Sequence, residues 1–136
     1  MSDIWESAWE SICAAYTRLS ALLSSVYPAM KWSCGHSDNK AFPFRAYATF
    51  NRGSERSEDV VVSVDVHRPS DGQLRYSIDI GLDDGQVLAD GPAGMISIAA
   101  GLVAAAPEVN AAVREIVAFI DGSGPVMRRA MEREQP

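Results

Sequence analysis

The chain has 136 residues, of which 47% are hydrophobic and 22% charged, and its formal net charge is −6. This length suits one α+β domain over residues 1–136, which can bury a core without a disulfide or a structural metal. The negative charge argues against a nucleic-acid partner, because phosphate binding requires clustered lysine and arginine. No apolar run is long enough for a membrane span and the acidic start MSDIWESAWE is unlike a secretory signal, so we expect a cytoplasmic protein that does not bind membranes.

The negative charge is concentrated in the middle of the chain. Residues 58–90 contain eight acidic and two basic residues, whereas the net charges of the two flanking segments, +1 and −1, cancel each other. An acidic surface keeps a protein soluble, and it can also attract a basic partner.

Residues 3–26 are predicted to form one long amphipathic helix that ends before Pro28. Large apolar residues recur at spacings of three and four, which indicates a stripe packed on a core: Trp5, Trp9, Ile12, Tyr16, Leu19, Leu23 and Val26. A helix that binds a partner would show the same pattern.

Three segments then alternate between apolar and polar residues with a period of two. They are FRAYATFNR, VVVSVDVH and LRYSIDIGL, and their apolar residues carry even numbers from 44 to 82. This alternation is typical of antiparallel strands that bury one face, and the short connections contain turn residues. A fourth strand is predicted at about residues 86–90 after the Asp84–Gly85 turn. Either Leu88 or the pair Val87 and Ala89 faces the core, depending on the length of the loop.

The register of the central hairpin follows from the even numbering. An odd number of loop residues keeps both apolar sets on one face. A loop of residues 70–72 meets this condition, with Gly72 in the left-handed conformation. The predicted pairs are Val66 with Tyr76, His67 with Arg75, and Pro69 with Gln73.

The C-terminal third is predicted to be helical. The segment DGPAG should end the sheet, and the alanine-rich residues 94–105 favour a helix, although the alternation of Ile96 and Ile98 leaves a strand open. Pro107 begins the next helix, Gly122 ends it, and Pro125 begins a last short one. The predicted fold is therefore a two-layer α+β domain, in which an N-terminal helix and C-terminal helices pack on one face of a four-stranded antiparallel meander.

The segment KWSCGHSDNK contains the residue types of a reactive or metal site. Cys34 and His36 are next-but-one neighbours, which rarely gives a hydrogen-bonded nucleophile and base. Structural zinc sites use paired Cys or His at recurrent spacings, and the chain has only two residues of each type. We therefore interpret this segment as a connecting loop, and we predict no catalytic residue, metal site or cofactor.

The leading functional hypothesis is a non-enzymatic module that binds a basic protein. Size, acidity and element order are similar, at the level of architecture only, to small bacterial binding proteins such as secretion chaperones and toxin-immunity proteins. No motif specific to either group is present. The predicted partner-binding residues lie in loops at one end of the sheet (Glu55, Glu58, Asp59, Asp83 and Asp84) and on its uncovered face (Tyr47, Asp65, His67 and Arg75).

Two alternatives remain open. The first is a small-molecule-binding domain or an enzyme with a pocket between the sheet and residues 31–40. The second is a homodimer joined through the uncovered sheet face.

Overall fold

The computed structural model describes residues 3–53 and 58–132. Its sheet has five antiparallel strands that lie side by side in chain order, so the fold is an α+β meander. The elements are α1 (Asp3–Val26), β1 (Lys31–Ser37), β2 (Phe44–Asn51), β3 (Val60–Ser70), β4 (Gln73–Leu82), β5 (Val87–Ser97), α2 (Ala106–Asp121) and α3 (Gly124–Met131).

The core lies between one face of the sheet and the layer of helices. The even-numbered residues of β2, β3 and β4 that were predicted to face inward are buried, with Tyr76 alone half-buried. Helix α1 has the predicted bounds and buries most of its apolar stripe, although Trp9 is half-buried and Val26 is 40% exposed. No helix within residues 3–53 and 58–132 is long and apolar enough to cross a membrane.

Polar contacts fix α1 in this layer. The buried Tyr16 hydroxyl donates to the backbone oxygen of Val62 at 3.1 Å, which ties the helix to β3. Arg18 makes two hydrogen bonds to the Asp121 carboxylate, at 3.0 and 3.1 Å, which tie α1 to the end of α2. The buried hydroxyl is the more important contact, because it gives a polar atom in the core a partner.

The prediction of four strands is wrong, because KWSCGHSDNK begins with a strand. Each residue of Lys31–Ser37 pairs with a residue of β2, and this strand forms one edge of the sheet. Every second side chain of this strand points toward the helices, namely Trp32, Cys34 and His36. These residues pair with the buried Phe50, Ala48 and Ala46 of β2. Two of the three inward side chains of β1 are polar, so the strand lacked the apolar alternation that identifies a strand in a sequence.

The predicted helix at residues 94–105 is also wrong, since β5 continues through DGPAG to Ser97. A Cβ on Gly91 would lie 2.9 Å from the Phe119 ring, and a Cβ on Gly94 would lie 2.8 Å from the Tyr76 hydroxyl oxygen. The two glycines therefore leave space for the rings of Phe119 and Tyr76, and they do not end the strand. Pro92 lies at a register shift on an edge strand, where a missing N–H is tolerated.

The central hairpin has the predicted register along most of its length. Val66 lies opposite Tyr76 and His67 opposite Arg75, as predicted. The predicted pairing of Pro69 with Gln73 is wrong, because a register shift after His67 places Ser70 opposite Gln73. Positive φ angles occur at Gly53, Gly85 and Gly101 among the described residues, so Gly72 does not have the left-handed conformation. The predicted Asp84–Gly85 turn is confirmed, with Gly85 at φ 90°.

Candidate functional site

The candidate site is the open face, which we define as the side of the sheet that points away from the three helices. No described element covers it. Many of its side chains are small, which makes the middle of the face flat: Ser33, Gly35, Thr49, Ser63, Ser77, Gly81 and Ala93. Larger side chains stand around these residues, and the most exposed apolar ones are Val87 at 52%, Met95 at 45% and Tyr47 at 44%.

Three carboxylates lie close together on the open face. Asp65 is paired with Arg45, whose Nε lies 2.7 Å from its Oδ1. Asp79 faces Asp90 across the β4–β5 ladder. Partial burial, and then the negative charges of Asp65 and Asp90, raise the pKa of Asp79 above its ordinary value. Asp79 therefore carries its charge at a cost, and a cation brought by a partner would reduce that cost.

A second acidic group lies in the loops just before the start of β3 and just after the end of β4. We call it the acidic end (Glu58, Asp59, Asp83 and Asp84). The backbone N–H of Asp59 donates to Asp83 Oδ2 at 3.3 Å, so the two loops are in contact. Asp83 and Asp84 are exposed, whereas Glu58 and Asp59 are half-buried. The prediction that these loops share one end of the sheet is therefore confirmed for the described residues. Glu55 and the neighbouring Arg56 lie outside the described residues.

Turn hydrogen bonds hold the acidic end in place. Asp84 Oδ1 accepts the backbone N–H of Gln86 at 2.9 Å, and Asn51 Nδ2 donates to Asp59 Oδ1 at 2.9 Å. These contacts fix the carboxylates of Asp59 and Asp84, so those two charges have defined positions.

A shallow groove of about 300 Å³ joins the acidic end to the open face. Asp79 and Asp83 supply its two carboxylates, and apolar or small residues supply most of the remaining surface. The groove is lined by Val61, Ser63, Asp79, Gly81, Leu82, Asp83, Gly85 and Val87. Apolar walls next to carboxylates suit a lysine or arginine side chain, whose methylene stem and charged head require different surroundings.

The remaining predicted residues lie away from this groove. Tyr47 lies across Gly35 on the β1 side of the open face. His67 contacts the ring of Phe42 at a centroid distance of 5.2 Å, near the opposite end of the sheet. Arg75 faces His67 and directs its Nε toward Met95 Sδ at 3.4 Å. The nine predicted residues therefore do not form one cluster.

The predicted partner-binding residues omitted Asp79, Asp90 and the apolar lining of the groove. Asp90 was recognised as part of the acidic segment, but the side of β5 on which it lies depends on two register shifts between β4 and β5. The alternation of β3 and β4 predicts that Val61 and Asp79 lie on the uncovered side of the sheet, and the odd number of Gly81 places it there too.

Residues 31–37 form an edge strand and not a loop over the sheet, and a shallow groove of about 410 Å³ beside this strand is lined by Lys31, Trp32, Ser33, Thr49, Asn51 and Asp59. Cys34 and His36 point toward the helix layer, whereas His67 lies on the open face. A cysteine–histidine pair made of Cys34 and His67 is therefore not assembled. Within residues 3–53 and 58–132, no three His, Cys, Asp or Glu side chains are placed to hold a metal ion.

Comparison of the chain with protein-family models, with curated proteins and with solved structures finds no match. The chemistry of the site must therefore be inferred from its own residues.

Proposed function

We propose that the protein is a non-enzymatic binding module whose partner is a basic protein. The partner places a lysine or arginine side chain in the groove, with its charged head between Asp79 and Asp83. The observation that carries this proposal is the groove itself, where two carboxylates adjoin apolar walls on an uncovered face.

The electrostatics of Asp79 support a cationic occupant. The only basic side chain paired with the three open-face carboxylates is Arg45 among the described residues, and it contacts Asp65 rather than Asp79 or Asp90. An incoming guanidinium or ammonium group would therefore meet carboxylates that have no cation of their own. A charged hydrogen bond of this kind is roughly twice as strong as a neutral one.

The acidic end supports fast association with the same partner. Its carboxylates lie beside the groove, so their field acts in the direction from which a basic side chain would arrive. Clustered charges of one sign raise association rates by steering the encounter. A chaperone or an inhibitor of a basic protein would use this arrangement.

The experiment is affinity capture from the source cell with matched baits. Asp79→Asn and Asp83→Asn each remove one charge from the groove, and asparagine at position 83 keeps an acceptor for the Asp59 N–H. Glu10→Gln and Glu108→Gln remove the same charge from exposed positions on the helices. We expect a basic protein that is retained by the wild type and by both helix variants and is lost with both groove variants. Retention by all four variants would exclude the groove from binding.

A homodimer joined through the open face is the second candidate. It is favoured by the opposite charges at the two ends of this face, where Arg75 stands at one end and Asp83 at the other. Antiparallel docking of two copies would place unlike charges together. Sedimentation equilibrium separates the candidates, because this dimer should dissociate in Arg75→Glu and be restored by mixing that variant with Asp83→Arg.

A further inference from the structure

The two cysteines of the chain lie on facing surfaces of α1 and β1. Cys13 is on the helix and Cys34 on the inward side of the strand, both are half-buried, and both are free thiols. They are separated by 20 intervening residues. The helix and the strand run in opposite directions, because only the short connection of residues 27–30 joins them.

A ring contact fixes the alignment of the two elements. The Trp9 and His36 rings lie 4.6 Å apart between centroids. Cys13 follows Trp9 by four residues, which is slightly more than one helical turn, or roughly 6 Å along the axis. Cys34 precedes His36 by two residues on the same face, which is roughly 6.6 Å along the strand. The two steps nearly match, so the contact between Trp9 and His36 places Cys13 and Cys34 opposite each other.

Two further observations agree with this alignment. Residues of α1 and β1 have Cα atoms within 8 Å of each other, so the two elements pack directly together, and a disulfide would bring the two cysteine Cα atoms to within about 7 Å. The pKa of the Cys34 thiol is raised, first by burial and then by the charge and a side-chain hydrogen bond of Cys13. The thiols are therefore near enough to interact.

We propose that Cys13 and Cys34 are a redox modification site, a dithiol that closes to an intramolecular disulfide when it meets a low-molecular-weight disulfide such as glutathione disulfide. One cysteine loses its proton and attacks a glutathione sulfur, which forms a mixed disulfide and releases one glutathione. The second cysteine then attacks the sulfur of the first and releases the other glutathione. The two cysteines are oxidised by two electrons, and glutathione disulfide is reduced to two thiols.

The position of β1 gives the bond a structural consequence. This strand lies at the edge of the sheet and is hydrogen-bonded to β2 alone. It can therefore shift by the small distance that bond formation requires more easily than an inner strand. Once formed, the disulfide holds the edge strand against α1, and reduction releases it.

The test equilibrates the full-length protein in glutathione buffers of graded composition, blocks the remaining thiols with N-ethylmaleimide and records intact masses. We expect both thiols to be lost together with a mass decrease of about 2 Da and no retained glutathione. Non-reducing proteolysis should yield a peptide that links residues 13 and 34. The equilibrium constant should exceed that of the urea-unfolded chain at least ~10-fold, because folding already holds the thiols together.

Two variants identify the second step. Cys13→Ser and Cys34→Ser each lack the thiol that resolves the mixed disulfide, so each should retain one glutathione under the same buffers. The wild-type measurement stands even if a variant fails to fold. Stable glutathione on both cysteines of the folded wild type, or an equilibrium constant no larger than that of the unfolded chain, would overturn the proposal.

Discussion

Asp79 and Asp90 lie directly opposite each other on β4 and β5, so two carboxylates share one cross-strand position. Like charges at such a position destabilise a sheet by roughly 0.2–1 kcal/mol. A charge pair that costs stability on an uncovered face is expected where a partner supplies the compensating cation, because functional sites often depart from the arrangement that is best for folding.

Removal of the Asp79 charge should therefore stabilise the protein. We expect Asp79→Asn to raise the free energy of unfolding at pH 7 by a few tenths of a kcal/mol, up to ~1 kcal/mol, as for other opposed like charges. The pKa of Asp79 is raised in the folded state, so folding favours the protonated form, and this favourable contribution is lost as the pH rises through the folded-state pKa. The advantage of the variant should thus be largest at neutral pH and shrink as the pH falls.

Urea denaturation at several pH values measures this difference, with Glu10→Gln as the control for removing one exposed acid. A variant that is less stable than the wild type at pH 7 would show that Asp79 contributes to folding rather than to binding.

The register of the central strands could be predicted from the sequence, whereas the irregular positions could not. A buried face fixes the pairing of Val66 with Tyr76, because a slip of one residue would expose every valine of β3. The register shift before Ser70 is not predictable in this way, since it lies beyond the buried residues, where either loop leaves the core unchanged.

The two edge strands, β1 and β5, could not be fully predicted from the sequence for a different reason. The pattern around Cys34 and His36 did not identify β1, because an edge strand needs fewer apolar residues than an inner one. Gly91 and Gly94 indicated a break in β5, yet they provide space for Phe119 and Tyr76, which are distant in the chain or on another strand. Space requirements of this kind become visible only when the packing partners are known. The acidic end was predicted correctly because meander topology alone brings its loops together.

Leu19 tests whether the α1 stripe belongs to the core. It is 3% exposed, so Leu19→Ala should reduce the free energy of unfolding by about 2–5 kcal/mol. Leu22 on the same helix is 49% exposed, and Leu22→Ala should cost less than ~1 kcal/mol. Chemical denaturation of both variants gives the comparison, and equal small losses would indicate that the stripe packs on a partner rather than on the sheet.

Tyr16 should make the fold sensitive to alkali. Burial is the largest cause that raises the pKa of its hydroxyl, so the folded state favours the neutral form. The resulting stability is fully present below the ordinary tyrosine pKa of about 10 and is lost as the pH rises above it. Tyr16→Phe removes the hydrogen bond to Val62, at a cost of about 0.5–1.5 kcal/mol at neutral pH.

The same variant removes the group that titrates. Its free energy of unfolding should therefore fall less steeply between neutral pH and pH values above about 10 than that of the wild type. Thermal unfolding at a series of alkaline pH values gives the two slopes. Identical slopes would mean that Tyr16 is not the group through which alkali weakens the fold.

The charge of the acidic end should control association with the basic partner. We expect Asp83→Lys combined with Asp84→Lys to slow association at least ~10-fold at low salt, because an attractive field at the entrance of the groove becomes repulsive. The difference should shrink as added salt shortens the Debye length from ~30 Å at 0.01 M to ~8 Å at physiological ionic strength. Stopped-flow or surface-plasmon measurements with the captured partner give both rates.

Two controls separate charge from structure. Both aspartates accept backbone hydrogen bonds, from Asp59 and Gln86, so the reversal also removes turn contacts. Asp83→Asn combined with Asp84→Asn keeps acceptors at both positions while removing the charge, and it should give an intermediate rate with an intermediate salt dependence. Glu6→Lys combined with Glu10→Lys makes the same change in net charge at exposed positions of α1, away from the groove, and should slow association much less. If the helix variant slows association as much as the loop variant, the overall charge of the protein governs the encounter and the acidic end has no special part in it.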